Sequence, residues 1–360
     1  MGKIKAGIIG CGGIANGKHL PSIAATGMVE IIGFCDIVEE RAKKACEEFG
    51  AEGAKAFTDY KKMLDMGDIE AVYVCTPNRS HCEITVAALH AGKHVMCEKP
   101  MAINAVEAAK MVETAEKTGK LLTIAYQNRF RPEYMYTQKI VAEGGLGDIY
   151  FARAKAVRRR GVPTWGVFLN KEEQGGGPLI DIGTHALDLT LWAMNNYKPK
   201  YVSGSVYHKL NSQKDTGNNW GDWNPKEFTV EDSAFGFVVM EDGATIILET
   251  SWALNDRHPD EAIFTLAGTK AGVDFSGETP YINEIRGGRQ TVAKVEMSAG
   301  GAAFFGGSGD GKPEYLEQIT FLNAVQGKGE LVVKPEQAYA VTQILDALYE
   351  SGRTGKAVYF

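Results

Sequence analysis

Short apolar runs alternate with amphipathic segments through the first third of the chain. The apolar runs have the length and residue types of buried strands, and the segments between them repeat apolar residues at helical spacing. The predicted strands cover residues 4–9, 29–35, 71–75, 94–97 and 121–125. The predicted helices cover residues 38–49, 59–64, 80–91 and 104–118. This alternation predicts an α/β domain with an open parallel sheet over residues 1–126.

The pattern changes after Arg129, where strand-like runs follow one another with few helices between them. A helix is predicted over 132–143 and a helix-like segment opens near residue 175, while the predicted strands cover 149–157, 201–207, 233–240, 245–252, 262–267 and 272–275. Two helices over 315–325 and 337–351 close the chain. The pattern along residues 127–360 therefore predicts an α+β domain with a large, mainly antiparallel open sheet.

Two segments of the second half carry little apolar pattern. Residues 208–231 form a long polar insertion that contains Trp220 and Trp223. Loops of this length are commonly lids or binding loops, and a sugar-binding role and a subunit contact are equally compatible with the two tryptophans. The glycine-rich run 300–311 predicts a flexible connection, because it lacks the strand-to-helix setting of a phosphate loop.

Composition and charge exclude several classes of protein. The 360 residues are 44% hydrophobic and 23% charged, enough for two domains with buried cores. A net charge of -6, with no basic run longer than Arg158–Arg160, argues against a nucleic-acid partner. No apolar run is long enough for a membrane span, and all six cysteines lie in the first hundred residues without metal-binding or disulfide spacing. We expect a cytoplasmic protein that holds no metal.

The run from Gly10 to Ala15 matches G-x-G-x-x-A between a predicted strand and a predicted helix. Glycines at Gly10, Gly12 and Gly13 allow a tight turn and close approach of the backbone, including Ile14, to a pyrophosphate. The second strand ends in Asp36, where a carboxylate can bind ribose hydroxyls. Its charge would repel the extra phosphate of NADP, so NAD is the expected cofactor. Asp36 also suits a helix cap, and the two roles are compatible.

Polar side chains follow the predicted strands at the edge of the sheet where the glycine turn lies. Because ligands of parallel α/β sheets bind outside the carboxyl ends of the strands, these side chains are expected to face the cofactor or substrate. The candidates for cofactor binding are Thr76, Pro77, Asn78, His81, Glu98, Lys99 and Gln127. An ordinary turn at 76–78 and a surface lysine at Lys99 are the simpler interpretations.

The second half contains a glycine-rich run that leads into a helix-like segment, Gly175 to His185. Asp181 and His185 are four residues apart, so a helix would place them on one face. A histidine beside a carboxylate can be held in one tautomer as a general base. The alternative is a helix cap beside a partly buried ring.

Together, Gly10-x-Gly12-x-x-Ala15, Glu98-Lys99-Pro100, Asn128-Arg129-Phe130 and the run from Gly175 to His185 resemble the Gfo/Idh/MocA oxidoreductase family. The resemblance implies an amino-terminal Rossmann domain and a second domain whose open sheet builds homodimers or homotetramers. It also implies that Lys99, Asp181 and His185 are catalytic. His185 would take a proton from a secondary hydroxyl, Lys99 would stabilise the alkoxide, and Asp181 would orient the histidine or bind a neighbouring hydroxyl.

The family resemblance further implies a small-molecule substrate, namely a sugar, a glycoside oxidised at its third carbon, or an inositol. Besides the three catalytic residues, the candidate substrate contacts are Asn128, Arg129, Arg158, Trp165 and His258. Three alternatives stay open: an inositol dehydrogenase, an NAD-using enzyme that cleaves glycosides without net redox change, and a non-catalytic NAD-dependent sensor.

Overall fold

The computed structural model of the protein describes residues 2–297 and 311–360. The chain divides into two compact units, whose described parts are residues 2–130 with 311–339 and residues 131–297 with 340–360. The run predicted as a flexible connection lies outside the described residues except for Gly311. No helix in the described part of the chain has the length and apolarity needed to cross a membrane.

The first unit is built on a six-stranded parallel sheet with the order β3-β2-β1-β4-β5-β6. Its strands are β1 Ile4–Ile9, β2 Val29–Cys35, β3 Lys55–Phe57, β4 Ala71–Val74, β5 His94–Cys97 and β6 Leu122–Ile124. Its α-helices are α1 Leu20–Thr26, α2 Glu39–Phe49, α3 Tyr60–Leu64, α4 His81–His90 and α5 Ala105–Thr118. This strand order is that of the dinucleotide-binding fold, so the predicted fold class is confirmed.

The chain returns to the first unit near its end, through helix α10 (Pro313–Val325). Phe321 and Leu322 of this helix are buried in the same core cluster as Ile8 and Leu20. The predicted boundary at residue 126 does not include this return, because an amphipathic helix does not reveal from sequence which core it covers.

The second unit is built on a nine-stranded mixed sheet with the order β14-β13-β12-β11-β7-β10-β9-β8-β15. Its strands are β7 Ile149–Val157, β8 Pro199–Tyr207, β9 Ser233–Met240, β10 Thr245–Ser251, β11 Ile263–Gly268, β12 Ala271–Ser276, β13 Thr279–Arg286, β14 Arg289–Lys294 and β15 Val358–Tyr359. All neighbours pair antiparallel except β7 and β10, so the prediction of a mainly antiparallel sheet is confirmed.

Helices cover one face of this sheet. They are α6 Pro132–Ala142, α8 Pro178–Asp181, α9 Gly183–Met194 and the carboxyl-terminal part of α11 Pro335–Thr354. A short helix, α7 Lys171–Gln174, lies in the connection between β7 and α8. Side chains alternate along β9 and β10, so that Val238 and Leu248 are buried while Phe237 is 37% exposed. The hairpin of β13 and β14 was missed by the sequence pattern, because its side chains are mostly polar and only partly buried.

Candidate active site

The turn after β1 requires glycine at its first position. Gly10 has φ +90°, a conformation that favours glycine, and a Cβ there would lie 2.5 Å from the main-chain oxygen of Cys75. β1 is therefore packed directly against the end of β4 at the point where the strand order reverses. In sheets of this type, that reversal is where a dinucleotide binds.

The next two glycines leave room for a ligand. A Cβ built on Gly12 or Gly13 would meet no atom within 4 Å, and the side chain of Ile14 is 43% exposed. The chain then enters a π-helical turn, Ala15–His19, and the amide of Asn16 donates to the carbonyls of Cys11 and Gly12. An open backbone at the start of a helix fits a pyrophosphate group.

Asp36 connects the end of β2 to the glycine turn. Its carboxylate accepts hydrogen bonds from the N–H of Cys11 (2.8 Å) and the N–H of Val38 (2.8 Å). The N-cap residue of α2 is Val38, so Asp36 is not the cap itself. A carboxylate has about four acceptor positions, and two remain for ribose hydroxyls.

The loop after β4 contains three of the predicted cofactor contacts. The hydroxyl of Thr76 is buried and has no hydrogen-bond partner in residues 2–297 and 311–360. Asn78 is buried and Pro77 is exposed. An unsatisfied buried hydroxyl at this edge of the sheet is explained if a ligand supplies the partner.

His81, another predicted cofactor contact, is fully buried. Its Nδ1 lies 2.8 Å from the carbonyl oxygen of Pro100 and its Nε2 lies 2.9 Å from that of Thr76. Burial lowers the pKa of His81, while the two carbonyl contacts oppose the shift. A neutral ring carries one N–H and donates to one of the two carbonyls. The ring therefore lies between the loop after β4 and the loop after β5, with a main-chain carbonyl oxygen close to each ring nitrogen.

Glu98 stands directly after β5 and is buried, whereas Lys99 is half-buried. The N–H of Lys99 donates to Oε2 of Glu98 (3.0 Å), and the Lys99–Pro100 peptide bond is cis. The position of the Lys99 backbone is thus tied to the carboxylate of the residue before it.

A buried cluster of charged and polar side chains surrounds Glu98. Its members come from the turn after β1 (Lys18 and His19), the end of β5 (Glu98) and α10 (Glu317 and Gln318). The ammonium of Lys18 lies 2.8 Å from Oε1 of Glu98 and 3.0 Å from Oε2 of Glu317. We call these five residues the Glu98 cluster.

Lys18 contacts both carboxylates of this cluster, yet their pKa values shift in opposite directions. Burial alone would raise the pKa of Glu98, but Lys18 and His19 outweigh it and hold that pKa well below its ordinary value. Burial raises the pKa of Glu317 to about 7, with Lys18 opposing and Glu98 adding to the shift. At neutral pH the cluster therefore keeps Glu98 ionised and holds a titrating proton on Glu317.

The hydrogen bonds of His19 are those of a neutral imidazole ring. Nε2–H donates to Oε1 of Glu98 (2.7 Å), and Nδ1 accepts from the amide of Gln318 (3.2 Å). Burial and then the charge of Lys18 lower the pKa of His19, while Glu98 opposes the shift. The donor and acceptor positions of a neutral imidazole are both used, so the ring is fixed in one tautomer.

The segment after β6 is a 3₁₀ turn, Gln127–Phe130. Gln127 and Asn128 are half-buried. Arg129 is fully buried, and its Nη1 donates to the carbonyl of Val332 (3.0 Å) and to Gln337 (2.7 Å). The guanidinium thus attaches this turn to the returning chain, and we do not retain Arg129 among the substrate contacts proposed below.

In the second unit, the run from Gly175 to His185 forms two helices. The prediction of one continuous helix is wrong, because α8 ends at Asp181 and α9 begins at Gly183, with Ile182 between them at φ -105° and ψ -29°. The N–H of His185 bonds to the carbonyl of Ile182, three residues back. Asp181 is buried and His185 is half-buried.

Two side chains that the sequence did not single out hold Asp181 and the turn before it. The indole N–H of Trp252 donates to Oδ2 of Asp181 (3.0 Å). The buried carboxylate of Glu231 accepts from the N–H groups of Gly177 (2.8 Å) and Leu179 (3.1 Å) and from the hydroxyl of Tyr349 (2.8 Å). A Cβ on Gly177 would lie 2.2 Å from the main-chain oxygen of Glu231, so only glycine fits. These contacts explain the glycine run.

The remaining predicted substrate contacts lie in the second unit, after β7 and β10. Arg158 forms two 2.6 Å bonds to Glu261, and its guanidinium carbon lies 5.3 Å from the ring centroid of Trp220. Trp165 is 51% exposed, and its ring contacts that of Trp220. His258 is exposed, and its carbonyl accepts from Lys155. Arg158 and Trp165 are thus brought together through Trp220.

Within the described residues, no group of three or more histidine, cysteine, aspartate or glutamate side chains has the arrangement of a metal site. The residues that sequence reasoning missed are the partners of predicted ones: Lys18, His19, Glu317, Glu231 and Trp252. The only local sequence signal for any of these residues was the Lys18-His19 pair that follows the glycine turn, because a charged side chain that is buried needs a partner. The other partners are distant in sequence.

Two protein-family descriptions match the chain. An oxidoreductase family with an NAD-binding Rossmann fold matches residues 4–126, and the GFO/IDH/MocA C-terminal domain matches residues 134–274.

The chain is also similar to individual proteins. D-glucoside 3-dehydrogenase of Escherichia coli (strain K12) is 37% identical over 355 residues, which cover 99% of this chain and 97% of that protein. Inositol 2-dehydrogenase of Salmonella paratyphi B is 32% identical over 198 residues, 54% of this chain and 56% of that protein. The structure of levoglucosan dehydrogenase in complex with NADH superimposes with a TM-score of 0.83 at 22% identity, covering 99% of both chains.

Proposed function

The chain belongs to the Gfo/Idh/MocA family of NAD-binding oxidoreductases, and from this membership we propose an NAD-dependent dehydrogenase that oxidises the 3-hydroxyl of a glucoside to a ketone. The observation that carries the choice of substrate is the similarity to D-glucoside 3-dehydrogenase along 99% of the chain. Inositol 2-dehydrogenase matches only about half of the chain, so a cyclic polyol is the second candidate.

The cofactor is NAD, held by the turn of Gly10, Gly12 and Gly13 and by Asp36. When bound, NAD accepts a hydride from the carbon that carries the reacting hydroxyl. Main-chain N–H groups at the start of the helical turn bind the pyrophosphate, and the free acceptor positions of Asp36 bind ribose hydroxyls. The carboxylate charge disfavours the additional phosphate of NADP. Thr76, Asn78 and Gln127 supply further polar contacts.

His185 is the general base and takes the proton of the substrate hydroxyl. Asp181 orients the histidine or binds a neighbouring hydroxyl, and the hydrogen bond from Trp252 fixes its carboxylate. The ammonium of Lys99 stabilises the negative charge that develops on the oxygen. Asn128 and His258 are retained as candidate contacts to other hydroxyls.

We also assign the exposed face of the nine-stranded sheet to a contact with a second copy of the chain. Tyr201, Phe235, Phe237 and Ile247 lie on the face opposite the covering helices, and Phe237 pairs with Ile247 in register. These apolar side chains form a patch across neighbouring strands, with Ser203, Ser205 and Glu249 between them, that suits a symmetric dimer or tetramer. All six cysteines are free thiols, which fits a reducing, cytoplasmic environment.

The test is NADH formation by purified protein with NAD and methyl glucoside, glucose, myo-inositol or scyllo-inositol, with Lys99→Ala as the control. Turnover on the glucoside that is lost in the variant supports the proposal. Turnover on inositols alone would replace glucosides by polyols as the substrate class. Aglycone release without net NADH would indicate the redox-neutral enzyme, and binding of NAD with no turnover on any compound would indicate the sensor.

A further inference from the structure

Two tryptophans form an exposed aromatic pair in the second unit. The ring centroids of Trp165 and Trp220 are 4.9 Å apart with an interplanar angle of 84°. Trp165 is 51% exposed and Trp220 is 45% exposed. Large aromatic side chains contribute most when their area is removed from water, so two neighbouring indoles at this exposure need a functional explanation.

The pair is held in place by hydrogen bonds between two segments. The hydroxyl of Thr164 donates to the carbonyl of Trp220 (2.6 Å). Asn218 accepts from the N–H of Val162 (2.8 Å) and donates to the carbonyl of Val162 (2.9 Å). The loop after β7 and the polar insertion are therefore joined at two successive points that lead up to the aromatic pair, which gives the rings a defined position.

The insertion is also anchored in the core of the unit. Trp223 and Phe228 are 5% and 3% exposed, and their rings contact each other at 5.7 Å. Phe228 in turn contacts Trp252 at 6.4 Å. Since the indole of Trp252 donates to Asp181, the same aromatic chain that anchors the insertion reaches a proposed catalytic residue.

Arg158 provides a second connection to Asp181. One face of its guanidinium lies over Trp220, at 5.3 Å from the centroid, and its edge is occupied by Glu261. Burial opposes the charge of Arg158, but Glu261 and then Asp181 raise its pKa, so the guanidinium and the Asp181 carboxylate interact electrostatically. The contact of Phe228 with Trp252 and the hydrogen bond from Trp252 to Asp181 therefore link the insertion that carries Trp220 to Asp181 within one unit.

We propose that Trp165 and Trp220 form a platform for the second ring of a glycoside substrate, that is, the aglycone or the neighbouring sugar. This inference deepens the proposed dehydrogenase and rests on it. The C–H face of a sugar or the face of an aryl group packs on an indole, while ring hydroxyls stay in water at the edge of the platform. In this proposal the reacting ring lies at the catalytic residues and only the second ring contacts the platform, so the platform favours two-ring glycosides.

The test compares substrates with one and two rings. KM is measured for methyl glucoside and for phenyl glucoside and cellobiose, in the wild type and in Trp165→Ala and Trp220→Ala. We expect KM for the two-ring substrates to rise about threefold to tenfold more than KM for methyl glucoside, as loss of one aromatic contact predicts. Tyr150→Ala removes an aromatic side chain that is 59% exposed elsewhere on β7 and is the matched control.

Calorimetric titration of cellobiose, with NAD present, separates failure of the platform from failure of the proposed reaction. Binding that weakens in both tryptophan variants without any turnover would retain the platform and reject the dehydrogenase. Turnover with equal KM changes for one-ring and two-ring substrates would reject the platform alone. A change of subunit number in Trp165→Ala, without a change in the KM ratio, would assign the pair to a subunit contact. Trp165→Phe keeps the test available if an alanine variant does not fold.

Discussion

The ammonium of Lys18 lies 2.8 Å from Oε1 of Glu98, and Oε2 of the same carboxylate accepts the N–H of Lys99 at 3.0 Å. The helical turn that follows the glycine turn is thus connected to the backbone of the proposed catalytic lysine through one buried carboxylate. Glu317 reaches Lys18 from α10 and completes the arrangement. Lys18 and Glu317 are positioning residues in this interpretation.

Replacing Lys18 by methionine leaves two buried carboxylates without their cation. Loss of one partner of a buried ion pair typically costs about 3–5 kcal/mol, because the remaining charge is poorly solvated. We expect a clearly lower urea-unfolding midpoint for the first unit. Lys43→Met, which removes an exposed pair with Glu39 at the surface of α2, is the control and should leave the midpoint nearly unchanged. Equal midpoints for both variants would contradict an ionised Glu98.

The proton on Glu317 predicts a pH dependence of stability. Its pKa is raised to about 7 in the folded protein, so its contribution is fully present below the ordinary glutamate pKa and is lost as pH rises through 7. Glu317→Gln keeps a neutral side chain at every pH. The variant should therefore gain on the wild type between about pH 4.5 and pH 7, by on the order of 1 kcal/mol per pH unit at most, and the difference should level off above pH 7. Unfolding midpoints at pH 5.5, 7 and 8.5 measure the difference, and a constant difference would refute a titrating Glu317.

Loss of the proposed base should reduce turnover without unfolding the protein. His185→Ala is expected to lower kcat on the order of 10²- to 10⁴-fold, the usual range for a general base. His90→Ala, at the exposed end of α4, is the matched control and should keep wild-type kcat. NADH formation across pH and a thermal midpoint for each variant make the measurement. Wild-type turnover of His185→Ala at all pH values would assign the base to another residue.

The negative charge of Asp36 predicts a preference for NAD over NADP. Asp36→Asn removes the charge that we propose binds ribose and repels the phosphate of NADP, so KM for NAD should rise by roughly tenfold or more, as for a lost charged hydrogen bond. KM for NADP should not rise in parallel. Asp65→Asn, at the exposed end of α3, serves as the control. A parallel rise for both cofactors would mean that Asp36 only holds the turn through Cys11 and Val38.

The exposed face of the nine-stranded sheet is the proposed subunit contact, so a charge placed there should reduce the number of subunits. Phe237→Lys places a charge in the centre of the apolar patch and should lower the mass measured by sedimentation velocity at micromolar concentration. Val106→Lys, on α5 at a residue that is 80% exposed, should leave the mass unchanged. A monomeric wild type, or a Phe237→Lys variant with unchanged mass, would reject this face as the contact.

Local sequence patterns determined most of the fold. Apolar runs of strand length ended at Ile9, Cys35 and Cys97 in the structure as predicted, because burial on both faces of a parallel sheet demands continuous apolar residues. The glycine turn was equally local, since a positive φ at Gly10 and the space beside Gly12 are properties of residue type.

Local sequence patterns gave wrong or missing elements where the conformation depends on packing against distant parts of the chain. Asp181 and His185 were predicted on one helix from their spacing, but Gly177 packs against Glu231 and Gly183 against Thr250, and the helix breaks at Ile182. Strands β13 and β14 lack apolar alternation and were missed. Their pairing depends on neighbouring strands in the sheet, a long-range property.

The sequence alone determined the alternation of strands and helices, the dinucleotide turn and the residue types available for catalysis, since these depend on neighbours a few positions apart. Only the tertiary structure decided which groups surround them. Glu98 is an ionised carboxylate because Lys18, 80 residues away, lies beside it. Burial raises the pKa of Glu317 to about 7 against the opposing charge of the same lysine. Burial makes the pKa of each group depend on its partners, and partners that distant are brought together only by folding.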